Sequence, residues 1–152
     1  MSAIARLADQ SLDPAAELQV LTGIATEDGA IVSFVGLARA GSAEGTPVER
    51  LVLEHHPWLT QRSLEQIACD AAGRFAVSHI RVVHRCGAIA AGEPIVFAAA
   101  AAPHRRAAFN AADYLMDRLK TEAVFWKCEE GPSGSSWIEP SEADYADRGR
   151  WE

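Results

Sequence analysis

The sequence contains no long apolar run and no excess of basic residues. None of its apolar stretches reaches the roughly eighteen residues that a membrane-spanning helix needs. The N-terminal segment MSAIARLADQ lacks the apolar core of a signal peptide. The net charge of −7 argues against a nucleic acid partner, because neutralising phosphates requires a basic face. We therefore expect a cytoplasmic protein with neither a membrane span nor a nucleic acid partner.

Motifs for metal and nucleotide binding are also missing. The three cysteines, Cys69, Cys86 and Cys128, are far apart and belong to no CxxC or Cys/His cluster, which argues against a zinc site. The adjacent His55 and His56 follow a strand pattern that points neighbouring side chains to opposite faces, so they cannot easily share one ion. No GxGxxG, Walker-type loop or GxSxG elbow occurs. We expect no metal site and no resident cofactor.

Lysine is the scarcest basic residue of the chain. Only Lys120 and Lys127 occur, whereas the other twelve of the 14 lysine and arginine residues are arginine. A partly buried lysine can lose its proton, but an arginine cannot readily do so. Lysine at these two positions therefore indicates a chemical role. Ordinary surface lysines, in a binding module or in a purely structural dimerisation domain, are the alternatives.

Both lysines belong to residues 94–127, the stretch around which the chain is organised. The apolar run 95–102 predicts a strand, and Pro103 fits the first turn of a following helix that ends at Lys120. A second apolar run at 123–126 predicts another strand, which leads into Lys127. Apolar residues at three- and four-residue steps give the helix one buried stripe: Ala108, Ala112, Leu115 and Leu119.

The start of this helix is predicted to attract an anion. Free N–H groups and a partial positive charge gather at a helix N-terminus, and His104 and Arg105 stand beside it. Arg106 points about 100° away from Arg105 on a helix, which favours a surface or dimer contact. An anion site at one end of the unit and two lysines at the other end form a candidate active site.

The remaining segments predict a single α+β domain. At 152 residues the chain fits one domain, with residues 1–140 as the domain and 141–152 as an acidic, mobile or edge-lying tail. Asp13 and Pro14 mark a helix start, with Leu18 and Leu21 facing inward. Residues 30–37 predict a strand buried on both faces, with Phe34 in the core. Further strands are expected at 48–55, 77–86 and 137–139, a helix at 57–75, and loops at 39–47, 87–92 and 129–136.

Five segments together resemble one protein family. They are GAIVSFVGLAR at 29–39, LEHHPWL at 53–59, HRCGAIAAGEPIVF at 84–97, PHRRAAF at 103–109 and LMDRLKTEAVFWK at 115–127. In type, order and spacing they are similar to the large, catalytic subunit of molybdopterin synthase, over residues 29–139. One difference follows Arg39, where Ala40 and Gly41 replace the family's asparagine and second polar or basic residue.

The resemblance implies a fold, a reaction and partners. The fold is the hammerhead-type α/β fold with an additional antiparallel β portion, in a homodimer. In the reaction, cyclic pyranopterin monophosphate (precursor Z) becomes molybdopterin by receiving two sulfurs from the C-terminal thiocarboxylate of a small ubiquitin-like sulfur-carrier subunit. The carrier's Gly-Gly tail would enter a pocket of this subunit, and two carriers on the homodimer would give a heterotetramer.

The resemblance also suggests roles for the charged candidates. Arg39, His104 and Arg105 are assigned to the phosphate of the pterin substrate. Lys120 and Lys127 are assigned to the terminal carbonyl of the carrier tail. One lysine would polarise the thioacyl group, and the other would act as an acid or base; a transient acyl-lysine is a further possibility.

Two apolar side chains complete the predicted pocket. The resemblance places Phe34 near the substrate, and Met116 lies one helical turn before Lys120. Core packing is the alternative for both residues. The alternative function for the whole chain is a non-enzymatic module that binds an anionic small molecule or a protein C-terminal tail.

Overall fold

The computed structural model describes residues 2–152, which form two β-sheets and four α-helices. In chain order the elements are β1 (Ser2–Ala8), α1 (Pro14–Ile24), β2 (Ala30–Leu37), β3 (Arg50–His55), α2 (Leu59–Arg74), β4 (His79–Arg85), β5 (Gly87–Ala90), β6 (Pro94–Ala102), α3 (Arg105–Glu122), β7 (Phe125–Gly131), β8 (Gly134–Ile138) and α4 (Glu142–Gly149). None of these helices is long and apolar enough to cross a membrane. The mixture of elements confirms the predicted α+β class.

The larger sheet has the strand order β1-β4-β6-β2 and carries helices on both faces. β1 runs parallel to β4, and the other neighbouring strands are antiparallel. Residues 98–102 of the central strand β6 are all alanine and fully buried. Because alanine adds little bulk above the sheet, α2 and α3 pack closely on one face and α1 on the other. The stripe predicted for α3 is buried: Ala108, Ala112, Leu115 and Leu119. The apolar face of α2 is buried at Leu64, Ile67, Ala68 and Ala71 and partly buried at Phe75.

The smaller sheet has the strand order β5-β3-β7-β8 and is antiparallel throughout. Only Cys86 separates β4 from β5. An apolar cluster of Ala38, Leu53 and Ile89 lies between the two sheets, and Ile95 and Phe125 pack against it. The smaller sheet therefore stands at the edge of the larger sheet where β4 ends and β6 begins. α3 packs along β6 and runs back toward this edge.

Two short strands are not predicted by the sequence. β1 pairs with β4 from Ser2 to Ala8, and β5 lies within the predicted loop at 87–92 and pairs with β3. The segment GAIA of β5 has little strand propensity of its own, so its neighbour on the sheet holds it extended. The predicted loop at 129–136 is likewise too long, because β7 continues to Gly131 and β8 begins at Gly134.

The prediction that residues 30–37 are buried on both faces is wrong. β2 is the edge strand of the larger sheet, and its Phe34 and Leu37 side chains are exposed by 43% and 55%. The placement of Phe34 in the core is therefore wrong as well. In α1, Asp13 caps the helix and Pro14 follows it as predicted; Leu21 is buried, but Leu18 is exposed. An apolar run does not reveal whether it lies at the centre or the edge of a sheet.

Both ends of the predicted central helix need correction. Pro103 precedes the N-cap residue His104, and α3 begins at Arg105 and continues beyond Lys120 to Glu122. Pro103 thus ends the turn from β6 instead of occupying the first helical turn.

The C-terminal residues are ordered, so the mobile alternative for the predicted tail is wrong. Residues 142–149 form α4, which begins with a capping box between Ser141 and Asp144. The Trp151 ring packs edge-on against Phe75 and Tyr114, and its indole N–H donates to Asp117 at 2.7 Å. These contacts fasten the end of the chain to α2 and α3. The proposed domain boundary at residue 140 stays a prediction.

Candidate active site

The N-terminal end of α3 is an open cationic site. His104, the N-cap residue, makes no capping hydrogen bond through its side chain, so it leaves the N–H groups of the first turn available. His104, Arg105 and Arg106 are exposed, and together with Gly29 and Pro103 they line a hollow of about 360 Å³. Because N–H groups, the helix dipole and cationic side chains converge there, the hollow is suited to an anion.

Gly29 sets the shape of this hollow. Its N–H donates to the carbonyl oxygen of Ala102 at 3.1 Å. A Cβ atom at Gly29 would lie 2.4 Å from the carbonyl oxygen of Pro103, a separation that real Cβ atoms do not adopt. The turn from β6 into α3 can therefore come this close to the start of β2 only because residue 29 is glycine.

The two lysines lie near each other at the other end of α3. Lys120 is exposed in the last turns of the helix, and Lys127 is half-buried in β7, between Leu53 of β3 and Ile138 of β8. Burial lowers the pKa of Lys127 to about 8; the Lys120 ammonium contributes to this shift, and Asp144 opposes it. At pH 7, about a tenth of Lys127 is then a neutral amine, against fewer than about one in a thousand for an ordinary lysine.

His84 and Phe125 lie beside Lys127. His84 is 6% exposed, and its ring stacks on the Phe125 ring with centroids 4.3 Å apart. Burial lowers the pKa of His84 to about 4; the hydrogen bond to the Arg85 carbonyl opposes this shift, and the Lys127 charge adds to it. The ring is therefore neutral at physiological pH.

Arg39 lies at the lysine end of α3. It directly follows Ala38, which packs in one cluster with Leu53, the β-sheet neighbour of Lys127. The Arg39 side chain is exposed. Sequence reasoning grouped Arg39 with His104 and Arg105, but within one chain the fold brings it to the opposite end of the helix.

The two apolar candidates take different positions. Phe34 lies at the middle of β2, opposite Ala98, and is exposed on the sheet edge. Met116 is partly buried and packs against the main core one turn before Lys120. The structure therefore leaves Phe34 free for a ligand or a second chain, whereas Met116 mainly supports the helix.

A single chain does not bring all the predicted residues together. Arg105 and Lys120 are fifteen residues apart on one helix, which corresponds to about 22 Å along its axis. A phosphate held at the start of α3 is therefore out of reach of the two lysines of the same chain.

The candidate cations lack acidic partners, whereas most of the other arginines have one; Arg62, Arg74 and Arg106 are the other arginines without a salt bridge in residues 2–152. Within residues 2–152, seven arginines form salt bridges: Arg6, Arg50, Arg81, Arg85, Arg118, Arg148 and Arg150. Arg39, Arg105, Lys120 and Lys127 form none there. In a chain of net charge −7, cations without acidic partners are suited to a negatively charged ligand.

The described part of the chain holds no cluster of three or more His, Cys, Asp or Glu side chains that could bind a metal ion. His55 and His56 have separate surroundings. His56 accepts hydrogen bonds from the N–H groups of Trp58 and Leu59 through Nδ1, so it caps the start of α2. All three cysteines are free thiols.

Sequence reasoning missed Asp144 as a neighbour of the lysines, and it assigned no site role to His84 or Phe125. His84 lies near the end of β4 and Phe125 lies two residues before Lys127, so their positions on the sheets offered a weak signal. For Asp144 the Ser-x-x-Asp pattern of a capping box was visible, but not the position of α4 against the lysines.

Known proteins share this sequence and fold. The sequence profile of the MoaE protein family matches residues 7–122. The molybdopterin synthase catalytic subunit of Caulobacter vibrioides is 46% identical over 149 residues, which cover 98% of this chain and 97% of that protein. The subunit of the same name from Pseudomonas aeruginosa is 40% identical, with 97% of both chains covered.

Solved structures agree with the sequence comparison. The molybdopterin biosynthesis MoaE protein from Burkholderia ambifaria superimposes with a TM-score of 0.82 at 36% identity, covering 98% of this chain and 97% of that one. Molybdopterin synthase from Staphylococcus aureus gives 0.77 at 26% identity, with 87% and 94% covered. These matches confirm the predicted fold and the resemblance seen in the five sequence segments. The chain therefore belongs to the MoaE family of molybdopterin synthase catalytic subunits and is an enzyme of that family.

Proposed function

We propose that the protein converts cyclic pyranopterin monophosphate to molybdopterin by accepting two sulfurs from a thiocarboxylated carrier protein. The observation that carries this proposal is the lysine pair. The only two lysines of the chain lie close together and have no acidic salt-bridge partner in residues 2–152. Burial of Lys127 and the charge of Lys120 together lower the pKa of Lys127. Simple anion binding needs no such pair, because arginine serves that purpose better. The cytoplasm stays the predicted location.

The start of α3 is the proposed phosphate site. The substrate's cyclic phosphate is an anion, and charge-assisted hydrogen bonds to it are about twice as strong as neutral ones. Arg105, His104 and the N–H groups of the first helical turn supply the donors. Arg106 also lines the hollow, but it points about 100° away from Arg105 on the helix, so we assign it no direct contact with the phosphate.

The lysine end is the proposed reaction centre. The carrier's C-terminal thiocarboxylate is also an anion, and Arg39, Lys120 and Lys127 provide cations for it. In each transfer a carbon–sulfur bond forms on the pterin while a carbon–oxygen bond at the same carbon breaks, and the oxygen leaves as the opened phosphate ester or as water. Water then hydrolyses the bond between the carrier's terminal carbonyl carbon and that sulfur, which leaves a carboxylate on the carrier. Negative charge develops on the carbonyl oxygen, where Lys120 as a full cation stabilises it. Lys127, which loses its proton more readily, serves as the acid or base.

A homodimer reconciles these two sites. Because about 22 Å of helix separate Arg105 from Lys120 within one chain, the phosphate and the reacting carbons of one small substrate cannot occupy both ends of the same α3. A second copy that brings its own α3 start to the lysines would complete the pocket. The exposed edge strand β2, with Phe34 and Leu37 uncovered, is available for that contact. Two carriers would then bind one dimer.

Sulfur transfer in vitro tests the proposal. Purified protein is mixed with cyclic pyranopterin monophosphate and a thiocarboxylated ubiquitin-like carrier, and the dithiolene product is followed for the wild type, Lys120→Ala and Lys127→Ala. We expect product from the wild type and a loss of at least about 100-fold in each variant, the typical size of a general acid–base contribution. Circular dichroism checks that both variants are folded.

The other outcomes are equally decisive. No product from the wild type with a carrier that works on a known synthase would refute the enzymatic proposal and leave a binding module. Undiminished product in both variants would keep the reaction but discard the lysine mechanism.

A further inference from the structure

His84 is the last residue on the buried apolar face of β4. Ile80, Val82 and His84 point to the same face of the strand, and the first two lie in the main core. His84 is only 6% exposed. Burying an imidazole costs free energy that a valine or leucine would not, unless its nitrogens find hydrogen-bond partners. Packing alone therefore does not account for histidine at this position.

The orientation of the His84 ring is fixed on two sides. Nδ1 lies 2.8 Å from the carbonyl oxygen of Arg85, and because a carbonyl only accepts, Nδ1 carries the proton and donates it. One face of the ring stacks on Phe125 with an interplanar angle of 26°. No donor within residues 2–152 reaches Nε2, which is left as a free acceptor.

Phe125 connects this ring to Lys127. The two residues are separated by one position in β7, so their side chains lie on the same face of the smaller sheet. The Phe125 ring also packs against both the main core and the cluster between the sheets. The stacked, uncharged rings of His84 and Phe125 therefore stand beside Lys127, whose charge is close enough to act on His84.

Three titratable groups lie near Lys127: Lys120, Asp144 and His84. Lys120 approaches from α3 and Asp144 from α4, and their charges oppose each other at Lys127. His84 faces it from β4 and carries no charge at neutral pH. A carboxylate in the place of His84 would hold Lys127 protonated, and a second cation would repel it. A neutral ring excludes water and does neither.

We propose that His84 is a positioning residue for the sulfur-transfer reaction, which holds Phe125 and, through it, keeps Lys127 poorly hydrated and without a counterion. The proposal rests on the proposed function of Lys127. It assigns to His84 no contact with the substrate and no proton transfer of its own.

The test uses the reactivity of the two lysines. Because the whole chain contains only Lys120 and Lys127, trace acylation with an N-hydroxysuccinimide ester followed by peptide mass spectrometry reports each amine separately. The rate is measured from pH 6 to 11 (roughly the span on both sides of a lysine titration) for the wild type, His84→Ala, His84→Phe and His79→Ala. His79 stands on the same strand and donates or accepts one hydrogen bond with Ser2, so it is the matched control.

We expect His84→Ala to raise the titration midpoint of Lys127 by at least about one unit, which lowers its acylation rate at pH 7 about tenfold. His84→Phe keeps a flat apolar ring and should leave the midpoint within about 0.3 units of the wild type. His79→Ala should also leave it unchanged. An unchanged midpoint in His84→Ala, or an equal shift in His79→Ala, would overturn the proposal.

If His84→Ala does not fold, His84→Phe decides alone: a Lys127 midpoint in the range of ordinary lysines would refute the role of the ring. Sulfur-transfer kinetics then separate the two proposals. A purely structural loss lowers the active fraction, whereas a positioning role lowers kcat and shifts its pH profile with little change in KM. If the Lys127 midpoint shifts but the kcat profile does not, His84 does position Lys127 and it is the proposed chemical role of Lys127 that fails.

Discussion

The two ends of α3 carry cations of different kinds in different surroundings. At the N-terminal end, His104, Arg105 and Arg106 are exposed around an open hollow. At the C-terminal end, Lys127 is half-buried between two strands, with Lys120 nearby and the neutral His84 behind its neighbour Phe125. The first arrangement keeps the permanent charges of Arg105 and Arg106 in water, where they can bind an anion. The second makes a charge easier to lose, which binding does not require.

This difference has a thermodynamic signature. The pKa of Lys127 is about 8 in the folded protein, against 10.5 for an ordinary lysine, so its protonated form is destabilised by at most about 3 kcal/mol at neutral pH. Between pH 8 and 10.5 the unfolded chain binds more protons than the folded one, and the free energy of unfolding should therefore rise with pH across that window. Exposed arginines at the other end impose no such cost.

Replacing Lys127 by arginine should have the largest effect. Lys127→Arg keeps the positive charge but removes a group that can lose its proton, so kcat should fall at least about 100-fold, as in Lys127→Ala. Lys120→Arg keeps the charge that its proposed role requires and should retain clearly more activity than Lys120→Ala. Steady-state kinetics of sulfur transfer measure both pairs. Near-normal turnover by Lys127→Arg would show that a permanent positive charge is sufficient at residue 127, as it is at the start of α3, and would refute proton transfer by Lys127.

Removing Arg105 should affect binding more than turnover. A hydrogen bond to a charged group is worth about 1.5–3 kcal/mol, so Arg105→Ala should weaken the binding of the pterin phosphate about 10- to 100-fold, measured by calorimetry. Arg106→Ala is the matched control, since it removes the same charge from the neighbouring position, and should change affinity less than about threefold. Equal losses in both variants would point to general electrostatic attraction instead of a defined phosphate site.

Two glycines allow the start of α3 and the loop after Arg39 to be disturbed separately. A Cβ at Gly29 would meet the Pro103 carbonyl at 2.4 Å, and a Cβ at Gly131 would meet the Pro47 carbonyl, next to the loop that follows Arg39. Each alanine variant should lose about 1–3 kcal/mol of unfolding free energy. Gly29→Ala should raise KM for the pterin severalfold without moving the Lys127 titration, and Gly131→Ala should mainly lower kcat.

Gly41→Ala is the control for both variants. A Cβ at Gly41 meets no atom within 4 Å, and its backbone does not need glycine. Its stability and kinetics should match those of the wild type. If Gly29→Ala and Gly131→Ala changed KM and kcat in the same way, the two ends would not be functionally separate.

Local patterns were enough to predict much of the fold and the identity of the candidate residues. The 3.6-residue period predicted α2 and α3, and the scarcity of lysine singled out Lys120 and Lys127 without any structure. Elements held mainly by their neighbours were missed: β5 is a GAIA segment paired with β3, and α4 has no buried residue of its own. Polar contacts such as those of Arg150 with Asp113 and Asp117 fasten α4, and these leave no hydrophobic period to detect.

The positions of the site residues within one chain could not be predicted, for a different reason. Sequence order places Arg39 far from both His104 and Lys127, and nothing in its local pattern shows that Ala38 packs with Leu53 across the two sheets. The pKa of Lys127 could not be predicted either, because it depends on burial between β3 and β8 and on the distance to Lys120 and Asp144. Such tertiary distances are set by the fold as a whole and not by neighbouring residues.

Removing the charge of Asp144 should change kcat least, but the direction of the change shows which protonation state of Lys127 is active. Asp144 raises the pKa of Lys127 and thus opposes burial and Lys120. Asp144→Asn should therefore lower the pKa of Lys127 further, by a few tenths of a unit for a partly exposed pair, and increase both its acylation and kcat at pH 7 about twofold. Asparagine can still accept the hydrogen bond from the Ser141 N–H, which keeps the capping box.

The control is Glu142→Gln, which removes an exposed acid in the same helical turn and should change neither the pKa of Lys127 nor kcat. A decrease in kcat at pH 7 with an intact α4 would mean that the protonated form of Lys127 is the active one. Asp144 in the acidic C-terminal helix would then favour catalysis by stabilising the Lys127 ammonium, which burial and the Lys120 charge destabilise.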